Sequence, residues 1–574
     1  MIRTGATGRI RVLFVLLLLM GLGLVGKLYF VQVVDGASYS EQADHQYFRP
    51  NYNLYNRGDI YFEQRDGSRV PAATLRSGYM VAINPQRVYD PEATYELLSG
   101  VLELDKDTFM RRASRPDRTY EVIAKKLDAE TAEQVKELSA EGVSVYRQQW
   151  RHYPGESMAA HTLGIVGRHE DEPDGKEAGR YGLERYYEDV LQRGNNQVYV
   201  NFFAEVFSNI KDTLFTGSTA QGEVVTGLEP NVQAFLESQL KEVSELWDAR
   251  VTGGIIMDPA TGQLLAMGAV PTFDPNDLSG VSSPSILDNP LVQNVYEMGS
   301  IIKPITVAIG LDTGVIAPHS TYEDTGSLTL DGFTIHNHDG RARGVVDMQE
   351  VLNQSLNTGA AYVARKTGNA RFSEYMRSFA IGDKTGIDLP NETAGLVSNL
   401  DSPRGIEMAT ASFGQGIAMS PIATTRALAV LANGGKLVTP HVAREIVYEN
   451  GASTSLVPEV GEQVIDSATS KAITRMLVKV VDEVLAEGEY SRERHSIAAK
   501  TGTAQIPLGG GYSEDRFLHS FFGYAPAYDP KFIVFLYTVE PQGQGSQYAS
   551  QTLTKPFMDT VAYLINYYEV PPDR

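Results

Sequence analysis

Residues 296–306 of the chain read YEMGSIIKPIT and contain the pattern Ser-x-x-Lys, with Ser300 three positions before Lys303. The apolar residues that follow predict a buried helix that begins near Ser300 and covers 301–311. Pro304 fits this helix because the first turn does not need its missing N–H group. Ser300 and Lys303 are therefore expected on one face of the helix start. A serine hydroxyl needs a base to become a nucleophile, and a lysine made neutral by burial can act as that base.

Ser-x-x-Lys is weak evidence on its own, because a helix cap followed by an ordinary lysine gives the same pattern. It recurs at Ser208–Lys211, which we interpret as a chance occurrence. A second polar group, Ser355-Leu356-Asn357, lies in a segment typical of a connection between two helices, and the alternative interpretation of that segment is a capped loop. Other motifs must decide between these interpretations.

The tripeptide Lys-Thr-Gly occurs three times, beginning at Lys366, Lys384 and Lys500. The first copy ends a helical run, and the second lies in a turn-rich loop. Only the third, Lys500-Thr501-Gly502-Thr503, lies within a strand-like stretch of small residues, 496–505, where backbone can approach a ligand closely. This third copy is therefore the one that suits the edge strand of an active site.

The order of predicted elements after about residue 223 indicates the fold class of that region. Two strand-like runs flank the turn at 258–262 and predict a hairpin. Helices follow, and strands return near the end of the chain, so we expect an α+β domain whose sheet joins the two ends of its sequence. The predicted helices are 231–246, 301–311, 348–366 and 421–433, and the later strands are 497–505, 521–524 and 532–539.

The region before this domain has a different composition. Residues 36–209 are rich in tyrosine, arginine and acidic side chains, and they indicate mixed α and β structure with a helix at 129–138. The small, turn-prone residues of 211–222 are the expected domain boundary.

The amino terminus predicts a membrane anchor. Residues 12–26 are an uncharged apolar run, extended past Lys27 by 28–31 and preceded by three arginines. About 20 apolar residues span a bilayer, so we expect a cytoplasmic tail at 1–11, a transmembrane helix at 12–34 and an extracytoplasmic body. A cleaved signal peptide is the alternative, but no small-residue cleavage site follows the run.

Composition excludes several classes of function. The chain has 574 residues and a formal net charge of −21, which opposes binding to nucleic acid. It has no cysteine, which excludes thiolate nucleophiles and Cys-ligated metals and directs the search for a nucleophile to serine. The segment His336-Asn337-His338-Asp339 could be interpreted as a metal cluster, but its context favours a polar loop, so no metal or other cofactor is expected.

Ser-x-x-Lys, Ser-x-Asn and Lys-Thr-Gly in this order form the signature of the penicillin-interacting acyl-serine enzymes. Over nearly its whole length the sequence resembles the class B penicillin-binding proteins, which are monofunctional D,D-transpeptidases of peptidoglycan. Met298 is a departure, since the family more often has proline before the Gly-Ser pair. The further segments that carry the resemblance are 57–60, 151–154 and 181–184 in the first part of the chain, and 258–262, 271–276 and 414–416 in the second.

The resemblance implies an α+β protein with an amino-terminal transmembrane helix and two domains. An elongated mixed α/β pedestal, or dimerisation domain, is expected at 36–222. A transpeptidase domain with an antiparallel sheet flanked by helices, similar to serine β-lactamases, is expected at 223–574.

The resemblance also implies catalytic roles. Ser300 attacks the carbonyl between the two terminal D-alanines of a stem peptide, and Lys303 accepts its proton. Ser355 relays a proton to the leaving amine, while Asn357 holds the peptide amide of the donor strand. Lys500 supplies positive potential.

The strand that carries Lys500 is expected to bind the end of the substrate. The hydroxyls of Thr501 and Thr503, on either side of Gly502, contact the terminal carboxylate. The backbone N–H groups of Ser300 and Thr503 form an oxyanion hole.

The implied substrates are peptidoglycan stem peptides on glycan strands derived from lipid II, with β-lactams as covalent inhibitors and no nucleic acid. A polytopic membrane glycosyltransferase and other proteins of the division or elongation machinery are the expected partners. The single anchor and the chain length favour a septal role, with an elongation-type enzyme as the alternative. A β-lactamase or β-lactam sensor, which generally lacks the pedestal, and a catalytically inactive division scaffold are further alternatives.

Overall fold

The computed structural model describes residues 56–168, 177–193, 221–509 and 511–574, together with isolated helical positions between 14 and 27. The anchor predicted at 12–34, the boundary at 211–222 and the second Ser-x-x-Lys lie almost entirely outside the described residues. In the part of the chain that the structure describes, no helix combines the length and the apolar character needed to cross a membrane.

The described residues form two compact units that are not contiguous in sequence. The small unit is Ser77–Trp150, and the large unit combines Arg57–Arg76 with the described parts of 151–193 and 221–574. The strands up to residue 193 are β1 (Ile60–Glu63), β2 (Arg69–Ile83), β3 (Glu121–Leu127), β4 (Val143–His152), β5 (Val166–Arg168) and β6 (Glu177–Gly179). The helices of this region are α1 (Pro91–Ser99), α2 (Lys106–Ala113), α3 (Ala129–Glu137), α4 (Ala160–Leu163), α5 (Gly182–Tyr186) and α6 (Glu188–Leu191).

The small unit packs three capped helices against the end of β2 and its neighbours. The residue before each helix is an aspartate whose carboxylate accepts a hydrogen bond from a backbone N–H in the first turn, which satisfies a donor that the helix cannot. β2 pairs with β3 in antiparallel register, with Tyr79 opposite Leu127. The buried core is formed by Val81, Ile83, Leu98, Leu102, Phe109 and Val135. The helix predicted at 129–138 is confirmed as α3.

The large unit holds the remaining elements. Its strands after residue 221 are β7 (Gly222–Thr226), β8 (Val251–Met257), β9 (Leu264–Val270), β10 (Thr321–Asp324), β11 (Ser327–Leu330), β12 (Phe333–His336), β13 (Gly344–Asp347), β14 (Ala443–Tyr448), β15 (Ser453–Ser455), β16 (Ala498–Leu508), β17 (Gly511–Ala525) and β18 (Phe532–Val539). Its helices are α7 (Pro230–Leu246), α8 (Pro290–Gln293), α9 (Lys303–Asp312), α10 (Met348–Asn353), α11 (Asn357–Thr367), α12 (Asn369–Ser378), α13 (Gly405–Ala411), α14 (Pro421–Ala432), α15 (Ser467–Lys479), α16 (Ala549–Thr552) and α17 (Thr554–Tyr567).

The main sheet of the large unit has the strand order β16-β17-β18-β8-β9 and is antiparallel throughout. The predicted hairpin is confirmed as β8 and β9. The last three strands of the chain extend this hairpin through the pairing of β18 with β8, which confirms that the sheet joins the two ends of the region. β16, which carries Lys500, lies at the edge of the sheet, as its composition predicts.

Both faces of this sheet are covered by helices, and β18 shows the consequence. Successive side chains of a strand point to opposite faces, so a strand covered on both sides is apolar at every position. Phe532 and Val534 pack in one core with α7 and α17. Ile533 and Phe535 pack in the other core, with α9 and α14.

A second sheet of the large unit joins residues that are distant in sequence. Its order is β15-β14-β7-β1, continued by the first part of β2. β1 runs parallel to β7, and the other pairs are antiparallel. Strands near residue 60 and residue 445 therefore belong to one layer.

A buried ion cluster joins three of the segments that carry the family resemblance. Nε of Arg57 lies 2.5 Å from one carboxylate oxygen of Glu184, and Nε of Arg151 lies 2.5 Å from the other. Tyr153 also donates its hydroxyl proton to Glu184. Burial alone would raise the pKa of Glu184, but the charges of Arg151 and Arg57 outweigh it and hold that pKa below its usual value.

Candidate active site

Ser300 lies in a tight turn, Gly299–Ile302, that leads directly into α9. The prediction of a helix start with Pro304 in its first turn is confirmed, and the regular helix begins at Lys303. Gly299 has φ of 66°, a conformation that favours glycine. An added Cβ at Gly299 would lie 2.8 Å from the carbonyl oxygen of Thr503, so the turn rests directly on the edge strand.

A second glycine, Gly414, also contacts the turn that contains Ser300. The N–H of Gly299 donates to the carbonyl oxygen of Gly414 over 3.1 Å. Gly414 has φ of 78°, and a Cβ there would come within 2.3 Å of the carbonyl oxygen of Gly299. The segment 414–416, which resembles the family in sequence, therefore fixes the backbone that presents Ser300.

Lys303 is fully buried beneath this turn. Its Nζ donates to the carbonyl oxygen and, over 3.1 Å, to the hydroxyl oxygen of Ser355. Burial and the positive charge of Lys500 hold the pKa of Lys303 well below its usual value. Neither Lys303 nor Lys500 takes part in an ion pair within the described ranges. The surroundings of Lys303 thus favour its neutral form more than those of an exposed lysine do.

Lys500 approaches the same hydroxyl from the edge strand. Its Nζ donates to Ser355 Oγ over 3.1 Å and to the carbonyl oxygen of Thr501 over 2.9 Å. Burial lowers the pKa of Lys500 to about 8. The structure therefore brings the second and third motifs into direct contact.

Ser355 lies between α10 and α11, where the sequence suggested a connection. The helix predicted over 348–366 is interrupted there, because Ser355 has φ of 53°, which no helix residue adopts. This backbone turn places the Ser355 hydroxyl between the two lysines. Asn357 begins α11, and its Nδ2 donates to the carbonyl oxygen of His336 over 2.8 Å.

The remaining predicted residues lie on β16. A Cβ at Gly502 would come within 2.4 Å of Ser520 Oγ and 2.8 Å of the carbonyl oxygen of Met298, so only glycine fits without displacing its neighbours. The hydroxyl oxygen of Thr503 accepts a hydrogen bond from the N–H of Ala549 over 3.0 Å. Thr501 precedes Gly502 on the same edge strand.

The other copies of Lys-Thr-Gly lie where the sequence analysis expected them. Lys366 is in the last turn of α11, and Gly368, with φ of 88°, ends that helix. Lys384 lies in a loop in which Thr385 bonds the carboxylate of Glu392. The structure thus separates these two copies from the copy at Lys500.

Two hydrogen bonds that support the turn at Ser300 were not predicted from the sequence. Ser520 on β17 donates its hydroxyl proton to the carbonyl oxygen of Met298 over 2.8 Å. Tyr512 donates to the carboxylate of Glu297 over 3.0 Å. Ser520, a small polar residue directly before the apolar pair Phe521-Phe522, was the available signal for the first support.

The segment 336–339 has a structural role in the folded chain. Nδ2 of Asn337 donates to both carboxylate oxygens of Asp324, over 2.9 and 3.1 Å. Thr358 of α11 donates its hydroxyl proton to the same carboxylate over 2.7 Å. The described residues contain no group of three acidic or histidine side chains that could hold a metal ion.

A serine turn, two buried lysines and a second serine between them form an arrangement suited to acyl transfer through serine. Comparison with known proteins assigns the chain to a family. Residues 252–560 match the penicillin binding protein transpeptidase domain, and residues 54–226 match the penicillin-binding protein dimerisation domain. The chain belongs to the class B penicillin-binding proteins.

Relatives of this penicillin-binding protein cover most of its length. Stage V sporulation protein D of Bacillus subtilis is 30% identical over 550 residues, which cover 94% of this chain and 83% of the relative. Peptidoglycan D,D-transpeptidase MrdA of Acinetobacter baumannii is 29% identical over 606 residues, which cover 96% of this chain and 87% of the relative. The structure of penicillin binding protein 3 from Mycobacterium tuberculosis, complexed with aztreonam, shares the fold with a TM-score of 0.67 and 24% identity, over 91% of this chain and 98% of that chain.

The family settles the reaction class. This penicillin-binding protein is a serine-type peptidoglycan D,D-transpeptidase, and its transpeptidase domain acts on peptidoglycan and binds β-lactams. The activity that the three motifs predict is therefore confirmed.

Proposed function

We propose that Ser300 is the nucleophile of this transpeptidase and that Lys303 accepts its proton. Ser300 Oγ bonds to the carbonyl carbon between the two terminal D-alanines of a stem peptide, and the C–N bond to the last D-alanine breaks. The proposal is supported by the burial of Lys303 and by its depressed pKa, because a neutral lysine can accept the serine proton.

Ser355 passes a proton to the amine of the leaving D-alanine. The observation that carries the proposal is that Lys303 and Lys500 both donate to the Ser355 hydroxyl over 3.1 Å. A hydroxyl in contact with the general base can receive its proton and release another proton to the leaving group. Lys500 keeps positive charge beside Lys303, which favours the neutral form of the base.

The edge strand binds the acyl donor. The hydroxyls of Thr501 and Thr503 contact the terminal carboxylate, and Gly502 leaves space for the substrate backbone. Asn357 donates to the peptide chain of the donor. The backbone N–H groups of Ser300 and Thr503 stabilise the oxyanion, and the close contact of Gly299 with Thr503 supports this assignment because it brings the two segments together.

The second half-reaction forms the cross-link. An amine of a neighbouring stem peptide attacks the acyl carbon, the new C–N bond forms, and the ester bond to Ser300 Oγ breaks. The amine loses one proton, and Ser300 Oγ gains one. A β-lactam enters the first half-reaction in place of the D-alanyl-D-alanine end and remains bound to Ser300.

A labelled penicillin tests the nucleophile. We expect covalent labelling of the full chain, loss of the label in Ser300→Ala, and retention in Ser208→Ala, which changes the serine of the other Ser-x-x-Lys. Label that persists in Ser300→Ala would disprove the assignment. Rapid release of the label with hydrolysis of the drug would instead indicate a β-lactamase.

We also infer a septal role for a single-pass protein of the cytoplasmic membrane. The apolar run in 12–34 supports an anchor that follows a cytoplasmic tail at 1–11, with a pedestal at 36–222 and a catalytic domain at 223–574 outside the cytoplasm. A polytopic membrane glycosyltransferase is the partner that would supply glycan strands. A fluorescent fusion tests the role: midcell localisation supports it, and uniform lateral-wall localisation would assign the protein to elongation.

A further inference from the structure

The loop after β12 is hydrogen-bonded to the start of α11. The carbonyl oxygen of His336 accepts a hydrogen bond from Asn357 over 2.8 Å, and Asn337 Oδ1 accepts one from the N–H of Thr358 over 3.2 Å. The next residue, His338, is therefore held at a fixed position beside the Ser-x-Asn motif.

The ring of His338 faces a residue from the opposite side of the site. The centroids of the His338 and Tyr548 rings are 5.9 Å apart, with the rings nearly perpendicular at 83°. Tyr548 directly precedes Ala549, whose N–H bonds the hydroxyl oxygen of Thr503. The aromatic pair thus joins the loop that holds Asn357 to the segment that holds the edge strand, and both of its members are exposed.

The charges around His338 favour its neutral form. Burial lowers the pKa of His338, and the positive charges of Lys303, Arg343 and Lys500 lower it further, whereas Asp339 raises it. Asp339 is itself paired with Arg343 over 2.8 Å. A neutral imidazole presents one ring nitrogen as a hydrogen-bond acceptor. The positive charge of Lys500 likewise lowers the pKa of an amine that enters beside the ring, which favours the nucleophilic neutral amine.

We propose that His338 and Tyr548 form the subsite that receives the attacking amine of the second stem peptide, an inference that rests on the acyl-enzyme proposed at Ser300. One N–H of the neutral amine donates to the imidazole nitrogen of His338. The other hydrogen leaves with the attack, through Ser355 and Lys303, and is returned to Ser300 Oγ as the ester bond breaks. The ring of Tyr548, which is 43% exposed, covers the hydrocarbon stem of the amine.

Partitioning of the acyl-enzyme tests this assignment. The full chain is given a soluble acyl-D-alanyl-D-alanine donor with glycine or D-alanine as the added amine, and the products of aminolysis and hydrolysis are quantified together. Both products arise from one acyl-enzyme, so their ratio does not depend on how fast that intermediate forms. Water and the amine compete for the same ester, and only the amine uses the subsite.

Two substitutions separate binding from packing. His338→Phe keeps the ring against Tyr548 but removes the acceptor nitrogen, and we expect the ratio of aminolysis to hydrolysis to fall about ten-fold, the effect of one lost hydrogen bond. His338→Gln removes the ring but keeps an acceptor oxygen, and we expect it to retain most of the ratio. His319→Gln, at an exposed histidine outside the site, is the matched control.

Each outcome is decisive. A ratio unchanged in His338→Phe would overturn the proposal. A larger loss in His338→Gln than in His338→Phe would also overturn it, because that order indicates a packing role. A wild-type chain that forms no acyl-enzyme would overturn the proposed role of Ser300 and this inference with it, and labelled penicillin distinguishes that failure from the others.

Discussion

Gly299 lies so close to Thr503 that a Cβ atom on the glycine would stand 2.8 Å from the threonine carbonyl oxygen. The contact joins the turn that presents the proposed nucleophile to the strand that would supply part of the oxyanion hole. The two backbone segments can approach this closely because residue 299 is a glycine and has no side chain.

Gly299→Ala should lower acylation by labelled penicillin by about 100-fold, since small displacements of reacting groups have effects of that size. Gly314→Ala is a matched control, because Gly314 has φ of 69° and no atom within 4 Å of an added Cβ. Both variants should lose about 1–2 kcal/mol of unfolding free energy to backbone strain. Equal acylation rates in the two variants would contradict the role of the contact.

Ser355→Gly should separate stability from activity. The backbone of Ser355 has φ of 53°, which glycine adopts without strain, and this relief should offset much of the stability lost with the hydrogen bonds from Lys303 and Lys500, so the melting temperature should change little. Acylation should fall by about 10²–10⁴-fold because the proton relay is lost. Ser139→Gly, at φ of 46° on the surface of the small unit, relieves the same kind of strain without losing a buried hydrogen bond, so it should gain stability and leave acylation intact. Acylation at the wild-type rate in Ser355→Gly would contradict the relay.

Lys500→Met should move the pH profile of acylation. The positive charge of Lys500 lowers the pKa of Lys303, so its removal raises that pKa, and the ascending limb of the profile should shift to higher pH. The measured quantity is the pH at which the ascending limb lies. The maximal acylation rate is less informative, because it also falls when Ser355 loses its hydrogen bond from Lys500. Lys384→Met, in another Lys-Thr-Gly copy, should leave the limb where it is. A limb that stays fixed in Lys500→Met would show that the two lysines are not coupled.

Ser520→Ala should weaken the site more than the fold. It removes the hydrogen bond to the carbonyl oxygen of Met298, which should cost about 1 kcal/mol of stability and lower acylation. Thr538→Val removes a buried hydrogen bond to Thr252 elsewhere in the same sheet, at a similar cost in stability. Acylation rates measured beside thermal melts should fall only in Ser520→Ala, and a parallel fall in Thr538→Val would assign the effect to the sheet as a whole.

Glu184→Gln should destabilise the large unit. It leaves Arg57 and Arg151 buried without their shared carboxylate, and breaking a buried ion pair costs about 3–5 kcal/mol. Glu133→Gln, in an exposed pair with Lys136, should cost about 1 kcal/mol or less. Denaturant unfolding at neutral pH measures both variants. A loss in Glu184→Gln no larger than in Glu133→Gln would show that the cluster contributes little.

Acid should reproduce the effect of Glu184→Gln in the wild-type chain. The pKa of Glu184 is lower in the folded protein than in the unfolded chain. Its contribution is therefore complete above the unfolded value of 4.5 and is lost as pH falls through the lower folded value.

Local sequence patterns predicted the elements that depend on short-range periodicity. The hairpin of β8 and β9, the helix α14 and the edge strand with Lys500 could all be predicted, because each pattern lies within one element. Glycine at 368 likewise indicated a helix end.

Contacts between distant segments could not be predicted in the same way. Gly414 supports Gly299, and Ser520 supports Met298, although more than a hundred residues separate the members of each pair. The break at Ser355 was suggested by polar composition, but neither its positive φ nor its contacts with Lys303 and Lys500 could be predicted from local periodicity. The motifs indicated which residues belong together, and the geometry that joins them came only from the folded chain.

The sheet that contains β1 has a consequence for the order of folding. β1 needs β7 beside it, and β7 in turn pairs with β14, which begins at Ala443. Asp388 likewise accepts hydrogen bonds both from Tyr187 and from the backbone of Val442. These partners are synthesised hundreds of residues apart. The sheet that contains β1 therefore cannot form completely until most of the chain has been translated. We expect slow folding with high contact order, and a chain truncated at residue 222 should lose β7, the parallel neighbour of β1, and should therefore not fold as an intact pedestal.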